Sequence, residues 1–288
     1  MDVADDRVTF WFGCNMLRHA EMIRLSVLLL ERAGYDVNAA GGPAYCCGTA
    51  HDHQPRGASN MAGRTVARFN DAAKNEGRGK VVTWCPSCHM HMFDIMAPGN
   101  AAAFDVAHIT ELLADRADRL APLLKVAVNR RVLLHRHLGF ATHAAVNDRV
   151  ASVLVRIPGL ELIEGPAHPG HMCSALAPVP GALASALGET WTAAVVQQAD
   201  TVCSIFHPCH REFAAWDGRD GIGVRNWVQL VAEGMGIEAS DAYVGWRKGG
   251  APDIAAIERA DPAKYQALVE SELRRPIPPP PTPRGEAE

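Results

Sequence analysis

Five of the eight cysteines in this 288-residue chain fall between positions 14 and 88: Cys14, the adjacent pair Cys46-Cys47, and Cys85-Pro86-Ser87-Cys88. Thiolates are soft, anionic ligands that suit both zinc and iron–sulfur clusters. Gly48 follows the pair directly, and Cys85 follows the apolar run Val81-Val82-Thr83-Trp84. A Cys-x-x-Cys step at such a strand-to-helix turn aims two sulfurs at one point. Four converging thiolates would fit zinc equally well. A fifth has no place on a tetrahedral ion, and adjacent cysteines chelate one small ion only with strain, whereas a multi-iron core offers several corners. The loops of 31 residues from Cys14 to Cys46 and 37 from Cys47 to Cys85 are longer than structural zinc modules use. The pattern favours iron–sulfur chemistry.

The elements that must position these residues read as strands alternating with helices. A strand is expected over 8–13, ending at Cys14. A helix over 20–33 follows, stopped by Gly34, then a strand over 35–38 and the turn Gly41-Gly42-Pro43. Next come a helix over 58–75, a strand over 80–84, a short helix from Cys88, a strand over 104–107 and a helix over 108–120. The order then recurs: strand 131–135, helix 141–155, strand 160–163, helix 182–198, strand 201–206 and helix 225–233. Such alternation predicts an α/β fold with mainly parallel pairing. The stretches 108–115 and 226–233 match in their apolar positions at an offset of 118, and Cys88-His89 and Cys209-His210 match at 121. Two near-equal offsets predict a duplicated module. The expected units are 1–125, 126–247 and an extension over 248–288, whose proline-rich segment 276–284 can form neither helix nor sheet.

Composition narrows the partners. The net charge is −4 with no basic run, so nucleic acid is not expected. The acidic start Met1 to Asp6 lacks the regions of a secretory signal, and no apolar run reaches the roughly 18 residues of a membrane span. A cytoplasmic location is expected, where clustered cysteines indicate metal or redox chemistry rather than disulfides.

The arrangement Cys-x31-Cys-Cys-Gly-x37-Cys-Pro-x-Cys, in a chain whose plan occurs twice, resembles the CCG-domain (cysteine-rich domain) iron–sulfur family over about residues 8 to 235. Within that family it is most similar to the B subunits of heterodisulfide reductases. More distant likenesses are the iron–sulfur subunits of glycolate oxidase and the lactate-utilisation proteins. The resemblance implies two tandem CCG-type modules, each a small sheet with flanking helices. It also implies a non-cubane [4Fe-4S] cluster held by Cys14, Cys46, Cys47, Cys85 and Cys88, at which a disulfide between two small thiols is cleaved. Gly48 would let the backbone approach cluster sulfides, and Pro86 would fix the turn between two ligands. Trp84 is read as core rather than as a shield. His51, His53, His89 and His91 crowd the same region and are expected to support the centre rather than ligate it, with Asp52 beside them as a possible proton source.

The second module departs from the family pattern. His135-Arg136-His137-Leu138-Gly139 stands where a cysteine is expected, His171-Met172-Cys173-Ser174 where two cysteines and glycine are, and Phe206-His207-Pro208-Cys209 where Cys-Pro-x-Cys is. One reading is a different metal on His137, Cys173, Cys203 and Cys209, with His135 or His207 assisting. The other, favoured here, is a half that keeps its fold, has lost its cluster and uses buried thiols as small hydrophobes. Arg136 is expected in a surface ion pair, with a substrate anion as the alternative.

The chain has no Cys-x2-Cys-x2-Cys-x3-Cys run and no Gly-x-Gly-x-x-Gly after a strand, so electrons must come from elsewhere. The resemblance implies a ferredoxin-like C subunit and a flavoprotein as partners, with a small disulfide or thiol as substrate. Two other functions compete: an electron-transfer subunit of a glycolate- or lactate-type 2-hydroxyacid oxidoreductase, and a non-redox zinc-binding assembly protein.

Overall fold

The computed structural model describes residues 6–49, 53–248 and 262–276. Among them the chain forms two four-stranded sheets, all parallel, built in sequence order one after the other. The first contains β1 (Arg7–Gly13), β2 (Asp36–Gly41), β3 (Lys80–Thr83) and β4 (Asp105–His108) in the order β2-β1-β3-β4. The second contains β5 (Arg130–His137), β6 (Leu160–His168), β7 (Thr201–Ser204) and β8 (Gly223–Asn226) in the equivalent order β6-β5-β7-β8.

Parallel pairing needs crossover helices on the sheet faces, so the central strands are buried on both sides and read as continuous apolar runs. The strand β1 shows this: every residue from Val8 to Gly13 is buried. Its crossover to β2 is α1 (Ala20–Arg32), whose buried set Met22, Ile23, Leu25, Leu28, Leu29 and Leu30 covers more than one face. One face meets the sheet, and α9 (Trp227–Gly234) of the second half meets another. The crossover from β2 to β3 is α2 (Pro55–Glu76). It buries Ala62, Thr65, Val66 and Phe69, the i, i+3, i+4, i+7 stripe of a one-sided helix. Phe69 meets Trp11 edge-on at 5.5 Å and stacks on Tyr45 at 5.6 Å.

The remaining helices that position the sites are α3 (Pro86–His91), α4 (Ile109–Asp115), α5 (Leu138–Ala144), α6 (Val146–Leu154), α7 (Ala182–Val196) and α8 (His207–Phe213). A single apolar cluster runs from Val8 and Phe10 through Ile109 and Leu113 to Val132, Val202 and Val228, so the two sheets share a core. Trp84 and Trp227 lie there with ring centroids 6.3 Å apart, and Trp84 is a core residue as expected.

Four local expectations needed revision. The helix expected over 108–120 ends at Asp115, and a separate turn of helix runs over Ala117–Leu120 after Arg116 leaves the helical region (ψ 22°). The segment 225–233 is not one helix: Gly223–Asn226 pairs with β7 as the edge strand β8, and the helix starts at Trp227. Asn226 closes a capping box with Gln229, as His108 does with Glu111 at the start of α4. The segment 141–155 is two helices, broken at Ala145 in the left-handed region (φ 47°). Beyond 248, where no packed element was anticipated, α11 (Pro262–Leu273) packs on α1 with Val269 fully buried. Pro276 is described and its carbonyl accepts from Arg24 at 3.2 Å; the rest of the proline-rich segment lies outside the described residues.

Asp241 fastens the turn before α10 (Ala242–Lys248) to the second sheet. Its carboxylate accepts from His210 Nε2 at 2.7 Å, Gln229 Nε2 at 3.1 Å and the Val244 amide at 3.1 Å. Burial opposes its ionisation, but His210 beside it outweighs that and holds the carboxyl below its ordinary range. Asp241→Ala strands two buried donors and is expected to cost about 2–4 kcal/mol in urea unfolding at pH 7. A group with a lowered folded pKa contributes stability above its unfolded value, so the difference between wild type and variant should narrow below about pH 4. A loss under about 0.5 kcal/mol at pH 7 would contradict this role.

Candidate functional site

In an open parallel sheet, ligands bind beyond the carboxyl ends of the strands, where neighbouring connections leave to opposite sides. The five early cysteines all occupy that position. Cys14 directly follows β1, Cys46 and Cys47 end the turn after β2, and Cys85 and Cys88 flank the start of α3 after β3. Their sulfurs form a connected set. Cys14 Sγ lies 3.7 Å from Cys46 Sγ and Cys47 Sγ lies 3.6 Å from Cys88 Sγ. Cys46 hydrogen-bonds with Cys47, and Cys88 with Cys85. Four of them are 94% or more buried, and Cys14 alone is partly exposed, so the set has one edge toward solvent.

Local structure forces this convergence. Pro86 occupies the first turn of α3, where its missing N–H costs nothing, and Cys85 is the N-cap. The amides of Ser87 and Cys88 therefore point at Cys85 Sγ. The Cys46-Cys47 turn is pinned from α2 by Thr65 Oγ1, which donates to the Cys46 carbonyl at 2.9 Å, and by Trp11 Nε1, which donates to the Tyr45 carbonyl at 2.9 Å. Gly13 (φ 74°) would place a Cβ 3.2 Å from Cys88 Sγ, and Gly48 (φ 89°) would place one 2.7 Å from the Ala58 carbonyl oxygen. Both need the left-handed backbone that glycine alone adopts freely; Gly13 leaves room beside sulfur, and Gly48 lets the cysteine turn lie against the backbone of α2.

The electrostatics follow from proximity. Its hydrogen bond with Cys46, with burial and neighbouring thiols added, pushes the Cys14 thiol up. The same neighbour raises Cys47 to about 11, and Cys47 and Cys85 raise Cys88. Cys85 is lowered, because Cys88 and two backbone amides donate to it. Without a cation among them these sulfurs cannot all ionise; a cationic core reverses that balance.

A cavity of about 340 Å³ opens beside the set, lined by Thr49, Ser87, Met90, His91, Asp94, Ile95 and, from the second half, His171. Thr49 Oγ1 lies 3.1 Å from Cys47 Sγ, and Ser87, between the two α3 cysteines, lies 3.0 Å from His171 Nε2. Of the nearby histidines, His89 turns away: its Nδ1 lies 2.7 Å from Thr83 Oγ1 and its Nε2 3.1 Å from His143. Burial, with His108 and His143 adding to it, lowers His89 to about 2, so it is neutral. His91 lines the cavity and His53 is exposed, while His51 and Asp52 lie outside the described residues.

At the matching corner of the second sheet the structure gathers a different group. The ligand atoms of His135, His137, Cys173 and Cys209 all lie within 4.8 Å of one another, and all four residues are buried. Cys203, counted in this set from the sequence, does not belong to it. Side chains alternate along a strand, and Cys203 pairs with Leu134 while Ser204 pairs with His135, so Cys203 faces the other side of the sheet. There its thiol is fully buried in the apolar core. His207 stays apart as well, its ring near His19 at 6.1 Å. Arg136 pairs with Glu164 and donates to the Gly165 carbonyl, the ion pair expected of it.

The first of these two corners falls within a stretch that resembles a known family. The CCG cysteine-rich domain description matches residues 8–93, a stretch that contains all five early cysteines. The chain is 27% identical over 252 residues to the D subunit of the dihydromethanophenazine:CoB–CoM heterodisulfide reductase of Methanosarcina mazei, covering 82% of this chain and 60% of that one. With the same subunit from Methanosarcina barkeri it is 29% identical over 256 residues, covering 83% and 61%. The chain thus spans about three fifths of the length of these relatives. They bear the name of D subunits, where the cysteine pattern pointed to the B subunits. Among the described residues no helix is long and apolar enough to cross a membrane.

The close approach at Gly48 is directly testable. Gly48→Ala forces a Cβ into the α2 backbone and should cost about 1–3 kcal/mol. It should also speed labelling of Cys46 and Cys47 by a thiol reagent, read by mass spectrometry. Unchanged stability and labelling would show that the turn tolerates a side chain.

Proposed function

We propose that this chain is the iron–sulfur subunit of a heterodisulfide-reductase-like complex. In this reading Cys14, Cys46, Cys47, Cys85 and Cys88 hold one non-cubane [4Fe-4S] cluster that reduces a small disulfide. The observation that carries the proposal is the convergence of five thiols from three loops in one buried hollow beside a cavity. The donor set fits the cofactor: five soft anionic sulfurs exceed what one tetrahedral ion accepts, and adjacent Cys46 and Cys47 can serve different irons. The cradle fits as well, because Gly13 keeps a side chain away from Cys88 Sγ.

When bound, the cluster supplies electrons one at a time at low potential. Cleaving a disulfide consumes two electrons and two protons and yields two thiols. The electrons come from a redox partner, a ferredoxin-like subunit fed by a flavoprotein, and the protons from water through the cavity. This chain's own residues bind and orient. Met90 and Ile95 offer apolar contacts to the carbon chain of a thiol, while Ser87, His171 and Thr49 offer polar atoms beside the sulfurs. Ser87 and His171 hold a proton between them at the cavity wall, next to where a thiolate would be released. The dry surroundings of Cys47, Cys85 and Cys88 keep bulk water off the centre.

Anaerobically purified protein should contain roughly four iron and four acid-labile sulfide per chain for this centre. A Cys47→Ser, Cys88→Ser double variant should lose both and, with them, all thiol release from a mixed disulfide driven by reduced viologen. Protein with zinc but neither iron nor sulfide would end the proposal. A 2-hydroxyacid-oxidising flavoprotein as the co-purifying partner would redirect it to electron transfer in that oxidoreductase.

A further inference from the structure

A second cluster does not fit the second module: only two thiols, Cys173 and Cys209, reach the corner where the first module brings five. The residues that are there fit something else. We propose that the second module binds a single tetrahedral zinc ion on His135 Nε2, His137 Nε2, Cys173 Sγ and Cys209 Sγ.

The hydrogen bonds around the two imidazoles carry the assignment. With its one proton directed at the Ala186 carbonyl, 2.9 Å away, Thr190 Oγ1 keeps its two lone pairs for the rings of His135 and of His168, whose Nε2 lies 2.9 Å from it. His135 Nδ1, 3.0 Å away, is therefore the protonated nitrogen of that ring. His137 Nδ1 lies 3.2 Å from the Pro169 carbonyl, which also only accepts. Each imidazole so bonded, in the neutral form that ligates a metal, spends its N–H outward and turns a bare Nε2 lone pair inward. The two Nε2 atoms face each other at 3.1 Å. Cys173 Sγ stands 3.1 Å from the first and 3.6 Å from the second. Cys209 Sγ completes the group and accepts the Cys173 amide at 3.3 Å. Two lone pairs at that separation repel unless a cation lies between them. Nitrogens at about 2.0 Å and sulfurs at about 2.3 Å from one tetrahedral ion stand roughly 3.3–3.8 Å apart, close to the spacing seen. Outward N–H bonds to a hydroxyl and a carbonyl are the outer contacts that fix ligating histidines.

The fold places these ligands for a reason of period and symmetry. His135 and His137 are two apart on β5, so both point to one face. Thr83 of β3 pairs with Trp11, and Ser204 of β7 pairs with His135, which makes the strand end Gly13, just before Cys14, the counterpart of His137. Cys173 lies in the turn after β6, and Cys209 in the first turn of α8 at the position of Cys88 in α3. The ion would therefore tie three segments of the second module together. One of them is the turn whose His171 and Met172 contact Ser87 between the first-site cysteines. Zinc is redox-inert, so its role there is to hold that turn against the first site.

Metal analysis of the full chain after anaerobic growth with added zinc tests this without reference to the first site. About one zinc per chain is expected, with zinc-edge X-ray absorption showing two sulfurs at about 2.3 Å and two nitrogens at about 2.0 Å. The zinc should persist in the Cys47→Ser, Cys88→Ser variant and be lost in His137→Ala and in Cys173→Ser. Cobalt(II) added to metal-stripped wild type should give the intense visible bands of a tetrahedral site with thiolate charge transfer, a readout that needs no variant to fold. Absence of zinc and of the cobalt spectrum in wild type overturns the assignment. So does iron in that site, or about eight iron and eight sulfide per chain, which would mean two clusters. Zinc bound as described with no iron anywhere would sink the proposed redox function and leave this site standing.

Discussion

The constraint on which the fold turns is that five thiols from three loops meet at one nearly dry corner of the first sheet, where Cys14 lies 3.7 Å from Cys46 and Cys47 lies 3.6 Å from Cys88. The neighbouring thiols push Cys14, Cys47 and Cys88 up, with burial adding to the effect, while Cys85 is lowered by the donors around it. Such a site is stable as thiolates only around concentrated positive charge. The surrounding elements prevent the sulfurs from drifting apart: α2 grips the Cys46-Cys47 turn against Gly48, Pro86 starts α3 beside Cys85, and Gly13 leaves no side chain against Cys88.

The duplication supplies the other half of the hollow. The two sheets have the same strand order, and their last helices begin with the same capping box, on His108 and on Asn226. Thr83 lies close to His89 as Ser204 lies close to His210. Each of those histidines meets a histidine from the other module: His89 packs on His143, and His210 on His19. A gene that doubles such a unit doubles its metal corner too, and either corner can then change its ligands while the shared core keeps the fold.

How much of this was legible in the sequence depended on the kind of signal. Cysteine spacing and strand–helix alternation are local and periodic, so the first site and the α/β layering could be read directly. The edge strand β8 was hidden because its four residues, Gly-Val-Arg-Asn, carry little strand preference and pair on one side only. The helix break at Ala145 has no glycine or proline to announce it. Among the described side chains of the helix α11, Val269 alone is fully buried, too little for an apolar stripe. At the second site, counting cysteines included Cys203, which β-strand alternation turns away. The His135-x-His137 spacing on a strand, which puts two imidazoles on one face, was the stronger signal there.

If both proposals hold, the two corners divide labour unequally. A disulfide needs two electrons and a zinc ion can deliver none, so a cluster held by Cys14, Cys46, Cys47, Cys85 and Cys88 would have to supply both. The half-reduced substrate then has to stay bound between the two transfers. That requirement gives the second module a purpose beyond scaffolding. Its turn at His171 and Met172 lies over Ser87 and walls the cavity where such an intermediate would wait. Fixing the base of that turn with a redox-inert ion, tied to β5 and α8, keeps the wall rigid without adding a competing electron acceptor. The loss of three thiols from the second corner is then a change of task for it, from carrying charge to holding shape.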